Sequence, residues 1–216
     1  MSGSGSKEMS DTEYFRNWPN QCPYNDDLKW ASSVGIQYLQ KIAPIYKTNG
    51  RTGIIIFDID DTLIFGDPGV KLDKHGEEVG VVGVEPGSLG KHLDSNGKLV
   101  DVFFLPVNVS IVKIATVAKQ LGFTVYCMTA RPKESELASI VNLKMFQIPC
   151  DKLIMNEKVE DPFFKVRVRR KINEIPNTDI VLTVGDQTND VYLPSKSAVI
   201  KLPDPTRKCA YAYIPS

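Results

Sequence analysis

The chain has 216 residues, enough for one ordinary domain with a sizeable core and a small insertion. Lysine plus arginine balances aspartate plus glutamate at 26 each, so the overall charge gives no general attraction to nucleic acid or to an anionic membrane. Four scattered cysteines and two histidines form neither a zinc motif nor a disulfide framework. No stretch is long and apolar enough to cross a bilayer, and we expect no membrane partner.

The start of the chain differs from the rest in composition. Residues 1–6 alternate serine and glycine after the initial methionine, like an artificial linker, and no secretory signal is visible. We therefore expect residues 1–25 to be a flexible N-terminus, residues 26–216 to form a single domain, and the protein as given to be cytoplasmic. The alternative that a native leader was removed from this end stays open.

Residues 26–46 carry apolar side chains at nearly helical spacing, and Asp26 or Asp27 is suited to cap a helix there. The polar stretch at residues 48–51 then breaks the chain. We predict an amphipathic helix before this break.

The next apolar run, residues 54–57, is rich in β-branched side chains and ends abruptly in closely spaced acids, Asp58 and Asp60 among them. It predicts a buried strand that delivers carboxylates to its carboxyl end. In open α/β sheets ligands bind at that edge, so these acids are the first candidates for chemistry.

Residues 66–104 are rich in glycine and charge and contain two short runs typical of strands, at 79–84 and 99–104. A tight turn is plausible at residues 94–97 between them. We expect this segment to be a small insertion, folded mostly as a β-hairpin over the crevice, because it is too short for a core of its own.

From residue 106 onward, strand and helix patterns alternate. The predicted helices are residues 107–121, 133–146 and 163–174, and the predicted strands are residues 124–129, 152–155, 180–185 and 198–201. This alternation implies right-handed crossovers and a parallel sheet covered on both faces. The predicted fold is α/β, a Rossmann-like three-layer sandwich.

Three of the predicted strands end in polar residues that would converge on one edge of the sheet. These ends are Asp58-Ile59-Asp60-Asp61-Thr62, Met128-Thr129-Ala130-Arg131 and Gly185-Asp186-Gln187-Thr188-Asn189-Asp190. Several carboxylates without histidine suit a hard cation such as Mg²⁺, which would also relieve their repulsion. One acid could then attack phosphorus while another protonates the leaving group.

In this order, the motifs resemble those of the haloacid dehalogenase (HAD) superfamily, and most of all its subfamily IIIB acid phosphatases. The resemblance covers roughly residues 52–205. Its four motifs are Asp58-x-Asp60-x-Thr62, Thr129, Lys165 and Gly185-Asp186-x-x-x-Asp190. The stretches Thr129-Ala130-Arg131-Pro132, 148–154 and 201–205 also resemble the acid phosphatases. The HAD-like fold follows as an expectation.

The resemblance implies that Asp58 is the nucleophile, with its second oxygen on Mg²⁺. Asp60 would protonate the leaving oxygen, then activate water, and its main-chain carbonyl would reach the metal. Thr129 would hydrogen-bond the phosphoryl group, and Lys165 would neutralise charge on the phosphoryl group and on Asp58.

Further residues are expected around the phosphoryl group and the metal. The main-chain N–H groups of Ile59 and Ala130, together with Thr62, are expected to bind phosphate. Arg169 lies one turn after Lys165 on the same helix face and is the second choice for the phosphate-binding cation. Asp186 is expected to be a metal ligand, and Asp190 either joins the metal or orients Lys165.

These patterns predict a Mg²⁺-dependent phosphomonoester hydrolase of the HAD type that acts through an aspartyl-phosphate on small phosphorylated substrates such as nucleotides. Two alternatives stay open. One is a non-catalytic storage or interaction protein, and the other is a phosphotransferase that passes the phosphoryl group to an alcohol.

Overall fold

The computed structural model of the protein describes ten stretches of the chain: residues 24–64, 70–72, 78–81, 89–93, 99–103, 107–156, 161, 163–192, 197–203 and 210–215. The expected flexible N-terminus lies almost wholly outside the described residues, and so does the expected turn at residues 94–97. The division of the chain into a flexible start and a single domain stays a prediction.

The helices described are α1 (Tyr24–Asn49), α2 (Val109–Gln120), α3 (Glu136–Met145), α4 (Phe164–Asn173) and the short α5 (Thr188–Val191), with a 3₁₀ turn at Lys133–Ser135 before α3. The parallel strands of the large sheet are β1 (Thr52–Phe57), β6 (Thr124–Pro132), β7 (Lys152–Asn156), β8 (Thr178–Gly185) and β9 (Ala198–Lys201). The other strands described are β2 (Val70–Leu72), β3 (Glu78–Val81), β4 (Leu89–Leu93), β5 (Leu99–Phe103) and β10 (Tyr211–Tyr213).

Six strands form one sheet in the order β10-β9-β8-β1-β6-β7. All neighbours are parallel except β10, which runs antiparallel to β9. β1 therefore lies between β6 and β8, with Phe57 opposite Cys127 on one side and Val184 on the other. The carboxyl ends of the three strands that carry the candidate residues are direct neighbours.

Both faces of this sheet are buried, which explains why β1 is an almost continuous apolar run. On one face, Ile55 and Phe57 pack into a core with residues of α1 and α2 such as Leu39 and Ile114. On the other face, Ile54 and Ile56 pack with residues of α4. Helices on both sides of a largely parallel sheet are the predicted three-layer sandwich, and the fold prediction is confirmed.

The insertion contains two separate two-stranded sheets rather than one hairpin. β2 pairs with β3, and β4 pairs with β5, both antiparallel. The predicted run at 99–104 therefore pairs with Leu89–Leu93, and the run at 79–84 pairs with Val70–Leu72. The pattern missed these two partners because strands of three and five residues that contain lysine, glycine or histidine carry almost no period-two signal.

Elsewhere the described elements follow the predicted ones closely at their ends. The helix predicted at residues 107–121 starts at Val109, because the Asn108 side chain accepts a hydrogen bond from the Ile111 amide and caps it. α5 and β10 were not predicted, since four and three residues are too few for periodicity to show. None of the helices in the described ranges combines the length and apolar character that a membrane crossing would need.

Candidate active site

β1 ends in the middle of the sheet, and the chain then makes a tight turn. The Asp58 amide donates to the Val184 carbonyl of β8 at 3.0 Å, so this side chain starts from the rigid part of the sheet. Just after it, the Leu63 amide donates to the Ile59 carbonyl at 3.0 Å. Asp61 lies within the turn at a φ of 56°, a left-handed conformation that aspartate tolerates better than most side chains. The turn presents the acids at the sheet edge.

Three buried aspartates meet at this edge. Asp58, Asp186 and Asp190 are 6%, 2% and 2% exposed, and one carboxylate oxygen from each lies within 4.8 Å of the other two. Oxygen ligands at this separation suit a hard divalent cation. The structure thus brings together the side chains of three of the four expected metal ligands, while the fourth, Asp60, was expected to contribute its main-chain carbonyl.

Burial and mutual repulsion raise the pKa of two of these acids. Burial, followed by the negative charge of Asp190, raises the pKa of Asp58 well above its ordinary value, although Lys165 acts against this. Burial and the same Asp190 charge raise the pKa of Asp186 to about 7. A divalent cation among the three carboxylates would offset both effects, so the electrostatics also indicate a cation site.

Lys165, the second residue of α4, extends its ammonium group into the cluster. Its Nζ donates to Oδ1 of Asp58 and to Oδ1 of Asp190. Burial alone would lower the pKa of Lys165, but the two carboxylates outweigh burial and raise it above its ordinary value. Lys165 is therefore a fixed positive charge beside Asp58. Asp190 contacts Lys165 and also belongs to the cluster of three carboxylates, so the geometry is compatible with both roles expected for it.

Thr62 lies between two of the acids and is fully buried. Its Oγ1 is 3.5 Å from Oδ2 of Asp58 and 3.4 Å from Oδ1 of Asp186. A hydroxyl carries one proton, so it can donate to one of the two carboxylates at a time. The Thr62 hydroxyl thus contacts the aspartate cluster, where it links the turn after β1 to the end of β8.

Asp190 is held from two directions and packs directly on the sheet. Its Oδ2 accepts a hydrogen bond from the Gln187 amide at 2.9 Å, and its Oδ1 accepts from Lys165. A Cβ added to Gly185 would lie 2.2 Å from the Asp190 Cβ. Asp190 can reach the cluster only because residue 185 has no side chain.

Asp60 turns toward the end of β6 and forms a second group beside the cluster. Its Oδ2 accepts from Oγ1 of Thr129 at 3.1 Å, and Nε of Arg131 lies 3.0 Å from both carboxylate oxygens. The Arg131 amide in turn donates to Oγ1 of Thr129 at 3.1 Å. The structure thus brings Asp60 and Thr129 together at the sheet edge and adds Arg131 to them, while the expected contact of Thr129 with the phosphoryl group stays a prediction.

Arg131 is the site residue that the sequence prediction missed. A signal was present, because a cation follows Thr129 by two residues at the same sheet edge as the acids. That signal could not assign Arg131 to Asp60, because the pair depends on the side-chain rotamers of both residues and on the path of the turn.

The remaining expected phosphate ligands are more dispersed. Arg169 is 1% exposed, and its Nη2 donates to the carbonyls of Asn189 at 2.5 Å and Tyr192 at 2.9 Å. Burial lowers the pKa of Arg169 to about 10. These bonds tie it to the main chain around α5. Ile59 is buried in the turn and Ala130 is exposed near the end of β6, and their N–H groups stay predicted phosphate ligands.

Comparison with known families gives a match over residues 105–209 to the model described as HAD superfamily, subfamily IIIB (acid phosphatase). The matched part holds Thr129, Lys165, Asp186 and Asp190, whereas Asp58 precedes it. The match confirms the resemblance predicted from the motifs and the predicted class of enzyme, a phosphoric monoester hydrolase of the HAD type. No curated protein sequence matches the chain.

Among solved structures, the class C acid phosphatase from Bacillus anthracis has a similar fold, with a TM-score of 0.54 at 15% sequence identity. That similarity covers 86% of this chain and 72% of the other. A structure of the class C acid phosphatase from Bacillus anthracis with tungstate bound has a TM-score of 0.50 at 16% identity, covering 83% of this chain and 70% of the other. At these identities the similarity establishes the fold.

Proposed function

We propose that this chain, whose sequence is similar to the subfamily IIIB acid phosphatases, is a Mg²⁺-dependent phosphatase that hydrolyses small phosphomonoesters through an aspartyl-phosphate on Asp58. The observation that carries the proposal is the contact of Lys165 with Asp58 beside two further buried acids, Asp186 and Asp190. The proposed nucleophile, a fixed positive charge and a cluster of carboxylate oxygens suited to a metal therefore lie side by side.

The residues present fit Mg²⁺ by their chemistry. The side chains of Asp58, Asp186 and Asp190 offer only oxygen atoms, and burial without a cation raises the pKa of two of them. These three side chains would hold the ion together with the main-chain carbonyl of Asp60. When bound, Mg²⁺ supplies positive charge that offsets the negative charge of the phosphoryl oxygens.

In the first half-reaction, an oxygen of Asp58 attacks phosphorus and the bond to the leaving oxygen breaks. Asp60 gives a proton to that oxygen, which departs as an alcohol, and an aspartyl-phosphate remains on Asp58. Lys165 stabilises the negative charge on the transferring group. Thr129, whose hydroxyl donates to Asp60 in this structure, would donate to that group instead when substrate is bound. The buried ion pair with Lys165 keeps Asp58 oriented for this attack.

In the second half-reaction, water attacks the phosphorus of the aspartyl-phosphate. Asp60 now accepts a proton from the water, inorganic phosphate leaves, and the Asp58 carboxylate is restored. Asp60 thus returns to its protonated state and the cycle closes without an outside proton donor. The side chain of Asp60 is 29% exposed, which lets it reach both a leaving group and water.

The substrate class rests on the sequence similarity to acid phosphatases. Small phosphomonoesters, nucleotides among them, are the proposed substrates. The phosphotransferase alternative differs only in the second half-reaction, where an alcohol rather than water accepts the phosphoryl group. Measuring the amounts of free phosphate and of the phosphate ester of an added alcohol distinguishes hydrolysis from phosphotransfer.

The test is phosphate release from a panel of monoesters, including nucleoside monophosphates and p-nitrophenyl phosphate, with Mg²⁺ or with EDTA. We expect turnover with Mg²⁺ only. Asp58→Asn should lower it by at least about 10³-fold, because the amide is a poor nucleophile. Asp26→Asn is the matched control, since its side chain is 62% exposed at the start of α1, and it should retain the full rate.

Two results would contradict the proposal. No release from any ester with Mg²⁺ present would favour the non-catalytic storage or interaction protein. Equal turnover by Asp58→Asn and the wild type would mean that another group is the nucleophile.

A further inference from the structure

A single arginine fixes both carboxylate oxygens of Asp60. Nε of Arg131 is 3.0 Å from Oδ1 and 3.0 Å from Oδ2, and Nη2 is 2.5 Å from Oδ1. Such a bidentate contact restricts rotation of the carboxylate as well as its position. In the part of the chain that the structure describes, the only other hydrogen bond to Asp60 comes from Thr129.

Arg131 is itself fixed at both ends of the residue. Its amide donates to Oγ1 of Thr129 at 3.1 Å, and its Nη1 donates to Oγ of Ser139 on α3 at 3.0 Å. The Arg131 side chain is 16% exposed, and Ser139 is fully buried. The guanidinium group is therefore held in place by β6 and α3, and through its hydrogen bonds it fixes the position of the Asp60 carboxylate.

Asp60 needs such support more than the other acids at the site. Lys165 holds Asp58 and Asp190, whereas Asp60 is held by residues at the end of β6. Asp60 also lies in a turn and is the more exposed of the two acids in the proposed mechanism. A proton donor must lie within hydrogen-bonding distance of the leaving oxygen, so a carboxylate free to rotate would lose much of its effect.

We propose that Arg131 is the positioning residue of the reaction, and that it holds Asp60 in the orientation for proton transfer to the leaving group, with Ser139 supporting it. This inference rests on the proposed function and adds to it a residue with a defined part. Arg131 acts through Asp60, so its removal should affect the proton-transfer step selectively.

The dependence on leaving group makes this selectivity measurable. An alkoxide leaves poorly without a proton, whereas p-nitrophenolate leaves well without one. The ratio kcat/KM reports the steps up to departure of the leaving group. In Arg131→Ala we expect kcat/KM to fall about 10- to 100-fold for an alkyl phosphate and less than about 3-fold for p-nitrophenyl phosphate. Millimolar guanidinium ion should restore part of the alkyl rate.

Two further variants complete the experiment. Arg167→Ala removes an arginine whose side chain is 52% exposed on α4. It should leave kcat/KM unchanged for both the alkyl phosphate and p-nitrophenyl phosphate. Ser139→Ala keeps Arg131 but removes its support, and it should show the same selective loss on a smaller scale. If Arg131→Ala fails to fold, Ser139→Ala carries the test.

Equal losses on the two esters, or no loss on either, would overturn the inference, because a general structural effect does not distinguish leaving groups. The wild-type enzyme separates this failure from failure of the proposed function. If the wild type hydrolyses both esters and loses activity in Asp58→Asn, only the role of Arg131 is in question.

Discussion

At position 185 the sheet has no room for a side chain, because Asp190 occupies that space. A Cβ on Gly185 would lie 2.2 Å from the Asp190 Cβ and 2.8 Å from its Oδ2. A separation this short forces Asp190 or the strand to move. The position of the Asp190 carboxylate, which contacts Lys165 and belongs to the aspartate cluster, thus depends on glycine at residue 185.

We predict that Gly185→Ala lowers turnover by at least about 10-fold and destabilises the protein by about 1 to 3 kcal/mol, the usual range for overpacking a buried site. The measurements are phosphate release with Mg²⁺ and urea unfolding. Gly50→Ala is the control, since Gly50 has a φ of +60° but nothing within 4 Å of an added Cβ. It should cost about 1 kcal/mol through backbone strain and leave the rate unchanged. Full activity in Gly185→Ala would contradict this account.

The sequence predicted which residues lie at the ends of strands and helices near the site. It did not predict contacts that depend on side-chain rotamers. Asp58 and Asp186 directly follow neighbouring parallel strands, and Lys165 lies at the start of a helix. The α/β topology therefore brings all three to one edge of the sheet. Arg131 lies in an equally visible position, but its contact with Asp60 needs both side chains to turn toward each other. Periodicity and motif spacing contain no information on that choice.

At the level of elements, α4 and the short α5 are joined at the active site by Arg169. This side chain is 1% exposed on α4, and its Nη2 donates to the carbonyls of Asn189 and Tyr192, at α5 and just after it. Its Nε is buried without a hydrogen-bond partner among the described residues. Four residues are too few for a helix to be stable alone, so α5 depends on such contacts to keep Asp190 in place.

We predict that Arg169→Met destabilises the protein by about 1 to 3 kcal/mol, because two main-chain carbonyls lose their charged donor. The same change should weaken Mg²⁺ binding, since α5 carries Asp190. Both effects can be measured by urea unfolding with and without Mg²⁺. Arg170→Met on the exposed side of the same helix is the matched control and should change neither. Unchanged stability of Arg169→Met would show that α5 is held by other contacts.

The elements themselves were predictable where their apolar residues form a clear pattern. α1 and the parallel strands of the large sheet have such a pattern, and the structure contains each of them. β2, β4, α5 and β10 have three to five residues, and their order comes from pairing and packing with distant parts of the chain. The insertion was therefore recognised as β-structure while its strand pairing was predicted differently.

For the molecule as a whole, folding brings negative charges together that the unfolded chain keeps apart. Asp58 lies more than a hundred residues before Asp186 and Asp190 along the chain, and Lys165 is the positive charge among them. Burial and repulsion raise the pKa of Asp58 and Asp186. Forming the aspartate cluster thus lowers the stability of the folded protein, and the size of this effect depends on pH.

The sign of this dependence follows from proton binding. Between the ordinary pKa of an aspartate and the raised value, the folded protein binds protons that the unfolded chain has released, so stability falls as pH rises. For Asp186 the raised pKa is about 7, which sets the upper end of the window. The pKa of Lys165 is raised above an already basic value, so this group is protonated in both states and adds no slope below neutrality.

We therefore predict that, in EDTA, the Tm of the wild-type protein is lower at about pH 8 than at about pH 5.5, by at least about 3 °C. Mg²⁺ binds the ionised carboxylates and competes with protons, so it should raise Tm much more at the higher pH. Asp186→Asn removes one of the buried charges. It should show a shallower decrease of Tm with pH in EDTA and a smaller response to Mg²⁺ than the wild type. A wild-type Tm that rises across this window, or an equal slope in Asp186→Asn, would mean that the acids are neutralised within the folded protein without a metal.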